Sequence, residues 1–255
     1  MGKKRHRRSD SGRSGIGLLT GVGLSVLGVA AIALSVFALQ NRGDAAPQTG
    51  TYTPPPAASS EPAVEFPRNA DGGITAVFLG DSLTYGLYAS SEEAGYRPQV
   101  VAALNAVAPV TATRGGQTGN TVQTVSDSAT IPADAGLVVL ALGTNDVWKT
   151  DLPTFGEQYS NLVAKVRSSA PDAVIACLGV WANPDGARGY NKPIKSSCDA
   201  GNGIYVPISP LFNEEGMRGP AGVEAFGGVS DDFHPNDTGY AAIAAMVNEA
   251  LQLGQ

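Results

Sequence analysis

The stretch Ile74-Thr75-Ala76-Val77-Phe78-Leu79-Gly80-Asp81-Ser82-Leu83 decides the architecture, because a short apolar run with no polar side on either face ends abruptly in a glycine turn. Such a run reads as a strand buried on both faces. Runs of the same kind follow at 109–113, 137–142, 173–180 and 204–208, each bounded by Gly, Pro, Asn or Asp. Between them lie segments of helical period. Residues 98–107 open with Pro98, which suits a first turn, and 155–168 set Phe155, Tyr159, Leu162, Val163 and Val166 on one side. Residues 237–253 begin with Asp237 as a cap and align Tyr240, Ile243, Met246, Val247, Ala250 and Leu251. Strand and helix therefore alternate, which requires right-handed crossovers. The predicted fold class is α/β: a three-layer α/β/α sandwich around a largely parallel five-stranded sheet, with the site beyond the carboxyl ends of the strands. The Gly- and Pro-rich stretch 181–203 is expected to be a surface loop walling a cleft.

The ends of the chain have a different composition. Lys3, Lys4, Arg5, Arg7, Arg8 and Arg13 make 1–15 a basic tip, and 16–39 carry no charge at all. At about 1.5 Å per helical residue that run can cross a bilayer core of about 30 Å. The charge asymmetry puts the tip in the cytoplasm and everything after it outside. The run is read as a retained signal anchor, or as a signal peptide, in which case the remainder is secreted. Residues 40–70, rich in Pro, Ala, Ser and Thr, have too few large apolar groups to fold and are expected to be a disordered linker. Residues 71–255 then form one domain.

Only Asp10 offsets the seven Lys and Arg up to Arg42, so the exported part is strongly acidic and nucleic acid is excluded as a partner. Cys177 and Cys198 both fall in that part and are a candidate disulfide, with two separate thiols as the alternative. His234 is the only histidine beyond the basic tip, and the cysteines lack ligand spacing, so neither a metal nor a cofactor is expected.

Four islands carry the chemistry: Gly80-Asp81-Ser82-Leu83, Arg114-Gly115-Gly116-Gln117-Thr118-Gly119, Gly143-Thr144-Asn145-Asp146 and Asp231-Asp232-Phe233-His234-Pro235. Each follows a predicted strand or enters the last helix, so all can converge on one edge of the sheet. A serine hydroxyl is nearly inert until a base removes its proton, and His234 is the one imidazole available to Ser82. Asp231 can accept the other ring N–H, with Asp232 as a second candidate. The Ser82 and Gly116 N–H groups and the Asn145 amide are candidate oxyanion donors, Gly115 lying close to Gly116. Asp146 is expected to fix its loop. Tyr85, Tyr88, Trp148, Trp181 and Tyr190 lie near these loops, either to meet a substrate or to pack the loops down.

In this order and context the islands resemble the SGNH hydrolase, or GDSL esterase, family over essentially the whole folded part. The resemblance implies a flavodoxin-like fold and hydrolysis or transfer of an ester-linked acyl group, with the family's Ser, Gly, Asn and His matched by Ser82, Gly116, Asn145 and His234. The second island departs from the commoner Asn-x-Gly-x-Ser-Gly by carrying Arg114 and Thr118. Together with the N-terminal segment, this predicts an exported esterase acting through acyl-Ser82 on an acyl-ester partner, such as an O-acylated envelope glycan or glycolipid. The alternatives are general esterase, lipase or lysophospholipase activity on small or nutrient esters, an O-acyltransferase using the same residues, and a non-catalytic envelope-binding module.

Overall fold

In the computed structural model the described residues are 64–254. The basic tip 1–15, the apolar segment 16–39 and the linker up to 63 lie outside them. Among the described residues no helix is long and apolar enough to cross a membrane.

β1 (Ile74–Gly80) is buried along its whole length and feeds two cores. Ile74, Ala76 and Phe78 point to one, Val77 and Leu79 to the other, as the period of two requires. The chain then makes one helical turn, α1 (Ser82–Tyr85), and α2 (Tyr96–Asn105) before β2 (Val110–Gly115). Next come α3 (Val122–Ser128), β3 (Ala135–Ala141), α4 (Asp146–Lys149), α5 (Leu152–Ser169), β4 (Val174–Leu178), α6 (Pro184–Ala200) and β5 (Ile204–Val206). A short hairpin, β6 (Glu224–Ala225) and β7 (Gly228–Val229), precedes the closing α7 (Asp237–Ala250).

The five-stranded sheet is parallel throughout, in the order β2-β1-β3-β4-β5. This is the doubly wound, flavodoxin-like order, whose direction reverses between β1 and β3 and opens a crevice at their carboxyl ends. Side chains of α2 and α7 cover one face, with Tyr96, Val100, Tyr240, Ile243 and Val247 fully buried. The other face is covered by α3, α5 and α6, where Val125, Phe155, Tyr159, Leu162 and Val166 are fully buried. Each large apolar side chain so buried stabilises the fold by roughly 1.5–3 kcal/mol. At its start α5 is capped by Asp151, whose side chain accepts from Thr154 N–H at 3.1 Å. Near its end the Arg167 guanidinium donates to the Gly201 and Ala173 carbonyls, both at 2.7 Å.

Several expectations need correction. The stretch 181–203 is mostly helix, α6, not loop. Pro184 sits in its first turn, Asn183 caps it, and its buried stripe is only Ala187, Ile194 and Cys198. That stripe is too thin for its period to stand out among glycines and prolines. A disulfide joins Cys198 to Cys177 of β4, with Cα atoms 6.2 Å apart. β2 is not buried on both faces: it is an edge strand that alternates between half-buried and exposed positions. The cap of α7 is Asn236, whose side chain accepts from Gly239 N–H at 3.1 Å, while Asp237 lies in the first turn. Residues 64–70, assigned to the linker, belong to the fold. Phe66 is buried in the core, Val64 N–H donates to the Gln252 side chain, and Asn69 accepts from Gly73 N–H.

Candidate active site

Three of the four islands are loops at the carboxyl ends of β1, β2 and β3, and the fourth lies between β7 and α7. β1 ends at Gly80, where any side chain would run into Thr84. The turn is therefore tight, and Ser82 opens α1 with a buried side chain. The chain comes back to it 152 positions later: His234 Nε2 lies 3.0 Å from Ser82 Oγ. The other ring nitrogen, Nδ1, is 2.8 Å from Asp231 Oδ2. Asp231 Oδ1 accepts from the N–H groups of Phe233 at 2.9 Å and of His234 at 2.7 Å.

A carboxylate beside Nδ1 fixes the tautomer with its proton there, leaving the Nε2 lone pair toward the serine hydroxyl. Burial alone would push the Asp231 carboxyl up, but hydrogen bonds from the His234 backbone and ring and from Phe233 N–H outweigh it. The net result lies below the usual carboxylate value, so Asp231 is ionised at neutral pH. Asp232, the second candidate for this role, instead accepts from Ala221 N–H at 3.0 Å.

Gly116 has φ +100°, and a Cβ there would overlap the Gly80 carbonyl oxygen, so only glycine fits. That contact brings the second island against the turn carrying Ser82. Asn145 completes the cluster: its side-chain Nδ2 donates to Asp81 Oδ2 at 3.1 Å and to the Asn120 carbonyl at 3.0 Å. Both amide hydrogens thus have acceptors. Asp146 ties its loop down by accepting from Val122 N–H at 3.1 Å and Thr150 Oγ1 at 2.8 Å.

Asp81 plays a part that sequence reading missed. Its carboxylate is buried, caps α1 through Leu83 N–H at 3.0 Å and holds Asn145 with its other oxygen. Burial, only partly opposed by the Leu83 hydrogen bond, pushes its pKa up to about 7, with the nearby Asp146 charge adding to the rise. The signal was present, since Asp immediately before a helical turn is a capping residue. The Asn145 partnership was not visible, because it spans 64 positions.

The aromatic residues divide. Trp181 is fully buried and bridges two site loops, its N–H donating to Thr144 Oγ1 at 3.0 Å and its ring N–H to the Phe233 carbonyl at 2.8 Å. Tyr190 packs on Phe155 and donates to the Thr150 carbonyl. Tyr85 stacks on Phe226 of the β6–β7 turn and lies under the Arg114 guanidinium. Tyr88 meets His234 edge to face. Trp148, three residues beyond Asn145, is 74% exposed. A cavity of about 290 Å³ lies between the hairpin and the start of α7, lined by Tyr88, Ser90, Gly219, Ser230, Asn236 and Thr238 among others, and Tyr88 is the residue that links it to His234.

A doubly wound parallel sheet with a Ser–His–Asp hydrogen-bonded relay at its carboxyl edge defines a serine hydrolase of the α/β/α class. The chain belongs to the GDSL-like lipase/acylhydrolase family, whose model matches residues 78–242, more than half of the sequence, and it is a serine ester hydrolase. No curated protein is significantly similar to it. Among solved structures it is similar to a catalytic mutant of an acetylxylan esterase from Geobacillus stearothermophilus, at 20% identity and TM-score 0.56, covering 71% of this chain and 95% of that one. It is similar also to a phospholipase A1 from Streptomyces albidoflavus, at 18% identity and TM-score 0.54, covering 70% and 99%. A lipase from a goat rumen metagenome is similar at 17% identity and TM-score 0.57, covering 71% and 99%. At these identities the likeness is one of fold.

Proposed function

We propose that this chain is an exported carboxylic ester hydrolase that works through an acyl-Ser82 intermediate and removes O-acyl groups from glycans or glycolipids of the cell envelope. The observation that carries the chemistry is the relay from Asp231 through His234 to Ser82, with contacts of 2.8 and 3.0 Å. Nε2 takes the Ser82 proton as Oγ bonds to the ester carbonyl carbon, and the carbonyl electron pair moves onto oxygen. The N–H groups of Ser82 and Gly116 and the amide of Asn145 stabilise that charge, Asn145 releasing Asp81 or Asn120 to do so. Nε2 then returns the proton to the leaving alcohol oxygen, and the acyl group stays on Ser82. Water repeats the sequence: its proton goes to Nε2, its oxygen attacks the acyl carbon, and the free acid departs as Ser82 recovers its proton.

Two features support the substrate class. The basic tip and uncharged segment 16–39, followed by the Pro-rich linker, would hold the domain on the outer membrane face, as an anchor or after passage as a signal. The cavity between the hairpin and the start of α7, whose Tyr88 touches the His234 ring, offers Ser90, Ser230, Asn236 and Thr238 as hydrogen-bonding partners for a hydroxyl-bearing alcohol. The fold's likeness to an acetylxylan esterase is in keeping with this. The test is turnover of chromogenic acetyl and butyryl esters, then of acylated envelope fractions with the released acids identified. Ser82→Ala should abolish both activities. Turnover unaffected by that change would refute the site, and small-ester turnover with no acid released from any envelope fraction would refute the substrate class. Free acid, rather than an acylated sugar, in the presence of sugar acceptors separates hydrolysis from transfer.

A further inference from the structure

We propose that Tyr88 is a positioning residue for His234, clamped in a left-handed backbone conformation by the β6–β7 hairpin so that its ring restrains the imidazole. The proposal rests on reading Ser82 and His234 as nucleophile and base. Tyr88 has φ +67°, a region that bulky L residues avoid because Cβ crowds the following carbonyl. The other described non-glycine residues with positive φ are Asn202 and Gln252, neither of which touches the site. Such a conformation persists only where the surroundings over-determine it.

The surroundings here are specific. Tyr88 N–H donates to the Phe226 carbonyl at 2.9 Å, and Phe226 N–H donates back across the same gap to the Ala89 carbonyl at 2.8 Å. The Phe226 ring stacks on Tyr85, centroids 5.0 Å apart and planes 21° from parallel. From below, Tyr240 of α7 donates its hydroxyl proton to the Leu87 carbonyl at 2.7 Å. The loop leaving the nucleophile is thus pinned to the hairpin on one side and to α7 on the other.

What the conformation achieves is the placement of one ring. Tyr88 meets the His234 imidazole with centroids 5.1 Å apart and planes at 86°, a favourable edge-to-face arrangement. Phe233 makes a similar contact at 5.2 Å and 84°. Asp231 holds the Nδ1 end of the imidazole through one hydrogen bond, which leaves the ring free to tilt about it. Ring contacts restrict that tilt and keep Nε2 directed at Ser82 Oγ. If the residue served the loop alone, glycine or asparagine would hold the same backbone without strain.

The test uses Tyr88→Asn, Tyr88→Gly and Tyr88→Phe alongside wild type and Ser82→Ala. It reads thermal unfolding, kcat and KM on a small chromogenic ester, and the rate of Ser82 labelling by a fluorophosphonate probe. The Asn and Gly variants should unfold at or above the wild-type temperature, because both accept positive φ. Their kcat and labelling rate should nonetheless fall by about ten- to a hundredfold, with KM within about twofold, as expected for a misdirected base. Tyr88→Phe, which keeps the ring, should stay within about twofold of wild type in every reading. Asn or Gly variants that label and turn over at the wild-type rate would overturn the proposal, as would a Phe variant that falls as far as they do. A wild type whose turnover and labelling do not depend on Ser82 would overturn the parent reading as well, which separates the two failures.

Discussion

The carboxylate of Asp81 and the amide of Asn145 are joined by a hydrogen bond of 3.1 Å that ties the turn after β1 to the turn after β3. One buried acid thereby sets both the helical turn carrying Ser82 and the amide facing it.

This acid is held at a cost that depends on pH. Its folded pKa of about 7 lies above the ordinary carboxylate value of 3.8, so between these limits the folded state binds more protons than the unfolded one. Stability therefore falls as pH rises through that window, by an amount on the order of 4 kcal/mol for a shift of this size. Asp81→Asn should flatten that slope and raise stability above pH 7, as urea unfolding at pH 5 and pH 8 would measure. Leu83 N–H and Asn145 meet different oxygens of Asp81, and in the Asn variant one of these becomes an NH2 that cannot accept, so kcat should fall about tenfold. A variant that is no more stable at pH 8 would show that Asp81 is not the group responsible.

Asp231→Asn keeps the shape of the relay but offers no carboxylate to the Nδ1 proton. The imidazole then loses its fixed tautomer, and kcat should drop by roughly 10³- to 10⁴-fold with KM little changed. In the unaltered protein Asp231 must be ionised to hold the Nδ1 proton, and its hydrogen bonds keep it so to more acid pH than a free aspartate, so its protonation should not limit kcat above the ordinary carboxylate range. A loss of kcat on acidification that sets in above that range and disappears in Asp231→Asn would contradict this.

Tyr159 illustrates a different kind of cost. Its ring is fully buried on the α5 side of the sheet, and its hydroxyl has no hydrogen-bond partner among the described residues. Tyr159→Phe should therefore raise stability by about 1 kcal/mol, equivalent to roughly 2–4 °C in Tm for a domain of this size. Calorimetry would check it, and a loss of stability would reveal a partner for the hydroxyl.

The disulfide spans 21 positions and fastens α6, whose apolar stripe is thin, to β4. Replacing Cys177 and Cys198 together by Ala should cost about 3 kcal/mol from the released loop entropy. Urea midpoints of the variant and of the reduced parent should agree. An unchanged midpoint would mean that packing alone secures the helix.

The inner strands were readable because a strand buried on both faces leaves an unmistakable apolar run, as at 74–79 and 137–142. β2 was misread as one of these, although Val110-Thr111-Ala112-Thr113-Arg114 alternates as an edge strand should. α6 escaped because Gly186, Gly189 and Pro193 are punctuation in most contexts. Here Gly189 keeps a small contact surface against Leu152 of α5, where an added Cβ would lie 3.2 Å from it. At the site, Ser82, Asn145 and His234 could be named because their side chains are chemically distinctive. Asp81, Trp181 and the β6–β7 hairpin could not. Their roles come from partners remote in sequence, and strands of two residues carry no periodicity at all.

The 152 positions between Ser82 and His234 mean that this pair is brought together from opposite ends of the domain. No fragment short of the complete sheet and its closing helix can bring hydroxyl and imidazole together. Turnover is thereby a gauge of whether the whole domain is intact, and a chain truncated by a late stop codon ahead of His234 would keep the hydroxyl and lose its base.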